Sequence, residues 1–113
     1  MKIQIHHDDH IRAGSARAQE IEADVRRVLS RFGEAITAVE VHLSDENGPR
    51  FGGDDKRCLI EVRLSHLPPI VASHRSKAVH EAVAGAAMKV RRAIDGRIGR
   101  LRRNESLSTR APS

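Results

Sequence analysis

Lysine and arginine are the side chains with the most chemistry to offer in this chain, and their placement is uneven. Lys89, Arg92, Arg100 and Arg103 follow one another at spacings of 3, 8 and 3. On a helix turning 100° per residue those spacings gather four cations on one flank. A row of permanent positive charges neutralises the phosphates of a polyanion. Gly85 and Gly96 fall on the same flank. A glycine costs a helix interior about 1 kcal/mol relative to alanine, so two on one side ask for a reason. Close approach of another backbone or of a phosphate chain is one. Arg91 and Arg97 on the same segment, and Arg27 and Arg31 four apart on an earlier one, are further candidates.

Plainer explanations compete with this one. A charge-rich helix face is usually a solvated face, and Gly96 or Gly99 can end a helix whose C-terminus favours cations. The sign of the charge decides between them. Residues 75–110 carry ten Lys/Arg against three Asp/Glu, a net of +7, whereas residues 1–74 carry ten against twelve. The whole +5 excess of the chain lies in its last third. A solvated face mixes its charges more evenly. In the earlier segment Glu20 and Asp24 share the flank of Arg27 and Arg31, so local pairing explains those charges well.

Other chemistry finds little support. His6, His7, Asp8, Asp9 and His10 resemble a metal cluster, but neighbours on a strand point to opposite faces. No second ligand cluster follows, so no metal is expected. Asp54 and Asp55 read as loop solvation, with no apolar pocket to raise a carboxyl pKa. Cys58 is the only cysteine, which excludes an internal disulfide, and it alternates with Ile60, Val62 and Leu64 as a small buried residue does. The chain has no phosphate loop, no GxSxG and no HExxH. No enzyme activity, cofactor or small-molecule substrate is expected. The chain has no Trp or Tyr and two Phe, which argues against a surface built on aromatic stacking. No apolar run approaches a membrane span and no signal sequence opens the chain, so a cytoplasmic protein is expected.

The elements that must position these charges can be read from periodicity. Val79, Val83, Ala86, Ala87, Val90, Ile94, Ile98 and Leu101 recur at helical steps and predict one long amphipathic helix over 77–103, with Ser76 as its cap. Ile21, Val25, Val28, Leu29 and Phe32 predict an earlier helix, opened by Ser15 and stopped at Gly33. Strands are predicted at 2–7, 36–44, 57–65 and 70–74 from alternation. Residues 45–55 read as an exposed loop, and 66–69 as a turn. The order β-α-β-β-β-α predicts an α+β fold. It is a four-stranded mixed sheet, the first two strands parallel through a right-handed crossover, with both helices on one face. The other face, with Lys2, Gln4, His6, Glu40, His42, Glu61 and Arg63, is polar. A single domain spans 1–103, and 104–113 is expected to be a disordered tail.

In this order of elements and in its basic last helix the chain resembles the ribosome hibernation-promoting factors, also called ribosome-associated inhibitor or sigma-54 modulation proteins. The residues that carry the resemblance best are AVAGAAMKVRRAI, 82–94. Lys89, Val90, Arg92 and Ile94 match that family's basic–apolar–x–basic–x–apolar pattern, with Val83 before it. The first strand and the helix with Ile21, Val25 and Phe32 also fit. Lys77-Ala78-Val79-His80 departs from the Asp-aromatic pair often found at this helix start, and the loop 45–55 is unusually rich in glycine. The resemblance implies a short family member. It implies a partner in the small ribosomal subunit and its ribosomal RNA, bound in the decoding channel, with inhibition of translation. Lys89, Arg92, Arg100 and Arg103 are then the expected RNA contacts, with Arg91, Arg97, Arg27 and Arg31 beside them. The competing reading is a protein–protein regulatory module that uses the outer sheet face or a sheet edge. A weaker third is a general double-stranded-RNA binder.

Overall fold

A computed structural model describes residues 1–8, 15–45 and 56–110, with the side chains of Ser15 and of residues 102–110 outside that description. Strand β1 (Lys2–His7) leads to helix α1 (Ser15–Leu29). A 3-10 segment, Ser30–Ala35, follows, then β2 (Ile36–Asp45), β3 (Lys56–Leu64), β4 (Leu67–Ser76) and α2 (Val79–Arg110). The strands lie in the order β1-β2-β3-β4. β1 runs parallel to β2, and the two later pairs are antiparallel. This is the expected α+β arrangement. α2 lies over β3 and β4, and α1 lies beside it over β1.

The core follows from alternation. Val39, Val41, Leu43, Cys58, Ile60, Val62 and Leu64 point inward and are buried. From above they meet Ile21, Val25 and Leu29 of α1 and Val79, Ala82, Val83, Ala86, Ala87, Val90 and Ile94 of α2. Ala82 joins the predicted stripe, so the buried arc of α2 spans about 140°. Leu101, predicted on that stripe, is 38% exposed. A helix of 32 residues is about 48 Å long, longer than the sheet beneath it, so its last turns have nothing to cover.

Several boundaries differ from those predicted. α1 ends at Leu29, and Gly33, at φ 55° and ψ −129°, breaks the 3-10 segment that carries Phe32. Ile36 and Val39 are both buried although three residues apart, because a bulge after Ile36 resets the register. The turn between β3 and β4 is only Ser65-His66, with His66 at φ 63°, and Pro68 and Pro69 lie inside β4. Prolines are tolerated there because β4 is an edge strand. Asp45 is not exposed loop. It closes β2, is buried, and accepts an ion pair from Lys56 Nζ at 2.8 Å. Ser76 is not the N-cap of α2: it ends β4, ahead of the first helical residue Val79, and its hydroxyl donates to the Glu81 carboxylate in the first turn at 2.5 Å instead of accepting from a backbone N–H. The helix begins after Ala78, whose carbonyl accepts from Ala82 N–H at 3.0 Å. α2 runs on to Arg110, past Arg103, since no Gly or Pro falls between Gly99 and Pro112. Loop residues 46–55, and residues 9–14 with Asp9 and His10, lie outside the described residues.

Burial of Cys58 has a measurable consequence. Loss of hydration pushes its thiol up from the ordinary 9.0 to about 12. The folded state therefore keeps the proton that the unfolded chain releases near pH 9. That contribution to stability is present below pH 9 and is lost as pH rises towards 12. At pH 8 the native protein is expected to resist a chromogenic disulfide reagent, and denaturant is expected to release one thiol at once. Rapid reaction without denaturant contradicts this placement of Cys58.

Candidate nucleic-acid interface

The basic flank of α2 runs along the β4 margin of the fold. Lys89 Nζ donates to the Ser73 carbonyl of β4 at 2.9 Å. The Arg97 guanidinium donates to the Pro68 carbonyl of the same strand. Among the described residues β4 has no strand on its outer side, so its outward carbonyls need other partners. The two side chains supply them. Arg97 is thus a brace between helix and strand rather than a free cation. Lys89 remains exposed while its ammonium is steadied, with donors left over for a ligand.

Gly85 explains how the helix comes so close to β4. A Cβ at this position would stand 2.1 Å from Cδ2 and 2.4 Å from Cγ of His74. The inward imidazole of β4 occupies the space a side chain would need. The close neighbour expected from the sequence is therefore a histidine ring of this chain, not a phosphate.

The eight predicted cations do not converge on one spot. Lys89, Arg92 and Arg100 share the β4 side of α2. The first makes only its backbone bond, and Arg92 and Arg100 are exposed with no ion pair among the described residues. Arg103 follows on the same helical row, but its side chain lies outside the described residues. Arg27 and Arg31 lie on the other side of α2, where α1 and the 3-10 segment pack against it. Arg27 pairs with Asp24 at 2.9 Å, as the local pattern suggested. Arg31 pairs with Asp95 of α2 at 2.6 Å and lies over the Phe32 ring, its guanidinium carbon 5.1 Å from the ring centroid. That exposed pair ties the 3-10 segment to α2 and contributes less than about 1 kcal/mol. Arg91 is half-buried towards α1, again without an ion pair among the described residues.

Sequence reasoning missed the residues that shape this margin, Ser73, His74 and Pro68. The one signal pointing to them was Gly85, and it did not name its neighbour. The outer sheet face is polar as expected. On it His6 stacks against His42 with centroids 4.7 Å apart, and Glu40 lies 3.7 Å from His6. Among the described residues no three metal-ligating side chains converge.

The fold and this basic margin can be set against known proteins. A comparison with curated proteins finds no match. A ribosomal subunit interface protein from Coxiella burnetii superposes with a TM-score of 0.71 at 16% identity, covering 88% of this chain and 99% of that one. The N-terminal domain of Thermus thermophilus Protein Y superposes with a TM-score of 0.66 at 15% identity, covering 83% and 96%. At such identities these likenesses establish the fold. Residues 3–102 match the family described as Sigma 54 modulation protein / S30EA ribosomal protein, nearly the whole length of the sheet and its helices. The chain therefore belongs to the Sigma 54 modulation protein / S30EA ribosomal protein family, a family of ribosome-associated factors.

Proposed function

We propose that this protein binds the small ribosomal subunit by placing the β4-side flank of α2 on ribosomal RNA phosphates, and so inhibits translation in idle cells. The observation that carries this reading is the state of Arg92 and Arg100. Both are exposed on one side of a helix fixed to the sheet, and neither has an acidic partner among the described residues. They lie in a segment of net charge +7. Lys89 stands beside them with its ammonium already oriented. Arg103 continues the row, and Arg91 faces the other flank. Arg97, Arg27 and Arg31 each hold a partner within the chain and serve as secondary contacts. Family membership supports the ribosome as the target, and the Coxiella burnetii neighbour carries the name of a subunit interface protein. A rigid, basic margin without stacking aromatics suits a folded RNA read by shape and phosphate position.

Sedimentation of an extract through a sucrose gradient tests the partner. Co-migration with small subunits or whole ribosomes supports the proposal. A protein that stays at the top of the gradient favours a regulatory module acting through another protein, for which Val71, exposed on the outer sheet face, is one apolar contact. Salt tests the mechanism. Four phosphate contacts give a slope of log affinity against log salt of about −3 to −4, at roughly 0.7 to 0.9 per contact. Removing Lys89 makes the slope shallower by about one contact. A flat titration on purified ribosomes rules out the phosphate contacts.

A further inference from the structure

Two glycines lie on the basic side of α2, and the fold accounts for only one. Gly85 is required by His74, whose ring fills the place of its side chain. At Gly96 a Cβ would meet only Arg100 Nη1 at 3.5 Å, an ordinary van der Waals contact with the end of a flexible side chain. Its φ is not in the left-handed region, which among the described glycines is reached by Gly33 alone. It does not end the helix, which continues to Arg110. Relative to alanine it costs helix stability. Within the described structure nothing asks for a glycine here.

Its neighbours in the helical row give the reason. Arg92 lies four residues before Gly96 and Arg100 four after, on the same row of the helix surface. Both are exposed, and neither has an ion pair among the described residues. The Arg100 guanidinium reaches back over the bare turn. The two arginines stand about 12 Å apart along the helix at their Cα atoms, with the side-chain-free turn of Gly96 midway between them and the Arg100 guanidinium lying over it. We propose that Gly96 is the point of closest approach between α2 and a nucleic-acid strand. One phosphodiester group lies against the bare turn, and Arg92 and Arg100 take its non-bridging oxygens from opposite sides.

This rests on the phosphate-binding role of the flank and adds to it the seat of one phosphate. Guanidinium forks match phosphate oxygens in pairs, which makes the seat geometric as well as electrostatic. A methyl group at 96 lifts the strand off the backbone and lengthens both contacts, and such bonds weaken steeply with distance and angle. The phosphate carries no base identity, so the effect is the same for any sequence.

Gly96→Ala and Gly96→Gln test the seat on purified small subunits, with the parent and a Lys89→Glu/Arg92→Glu variant beside them. Both glycine replacements are expected to melt above the parent, because helix propensity rises. Gly96→Ala is expected to bind about tenfold more weakly, the loss of roughly one charged hydrogen bond, and Gly96→Gln more weakly still. Its salt slope is expected to be shallower by one to two contacts, at roughly 0.7 to 0.9 each. A purely structural role cannot raise stability and lower affinity together. Parental affinity in both glycine variants, with binding abolished by the charge reversal, overturns the seat and leaves the basic flank standing. Salt-insensitive or absent binding by the parent overturns both.

Discussion

Charge reversal at Lys89 and Arg92 is expected to abolish ribosome binding while the domain stays folded. Each substitution removes one positive charge and adds one negative charge on the same margin, so a site that attracts phosphate comes to repel it. Arg92 is exposed and has no ion pair among the described residues. Its replacement changes stability by no more than about 0.5 kcal/mol. Lys89 gives up its bond to the Ser73 carbonyl, which stays open to water, and the loss there is about 1 kcal/mol. Circular dichroism and a melting curve check the fold, and a gradient checks binding. A folded double variant that still travels with ribosomes means that the basic flank is not the site. Reversal at Arg27 and Arg31 is expected to weaken binding much less, because Asp24 and Asp95 already hold those groups.

Ile94→Ala is expected to have the largest effect on stability, about 2–5 kcal/mol. Ile94 is fully buried where α2 meets the sheet, and its loss leaves a cavity whose rigid walls cannot close. For a domain of this size that lowers the melting temperature by at least about 10 °C. Binding is expected to fall only as folded protein is lost, so affinity per folded molecule stays at the parental value. A variant that melts with the parent contradicts the helix phase described here. The two experiments therefore separate opposite sides of one helix.

The secondary structure and its order were legible in the sequence because each element announces itself locally. Val83, Val90 and Ile94 repeat at helical steps, and Cys58, Ile60 and Val62 repeat at strand steps; burial then followed from those periods. The basic flank was legible for the same reason, since the phase that buries Val90 also sets the side on which Lys89 and Arg92 stand. Boundaries were less legible. Pro68 and Pro69 marked a turn in the sequence, but tertiary pairing draws them into β4, because an edge strand does not need their missing N–H groups. Asp45 read as loop because a carboxylate is normally solvated; its burial depends on Lys56 across the strand pair.

The state of each cation was decided by the tertiary structure alone. Arg31 and Arg92 are the same residue type, and composition cannot rank them. One is engaged by Asp95, 64 residues away in the chain, and the other is left exposed. Lys89 is oriented by a carbonyl 16 residues away, and Arg97 becomes a brace through one 29 residues away. The two glycines divide in the same way. Both register in the sequence as a cost to the helix, yet only the packed fold shows the His74 ring filling the place of a side chain at Gly85 and no more than an ordinary contact with Arg100 at Gly96. Periodicity is a property of neighbours in the chain, so the sequence by itself could determine elements, core and the sign of the surface. Availability of a charge is a property of neighbours in space, and folding must first bring those together.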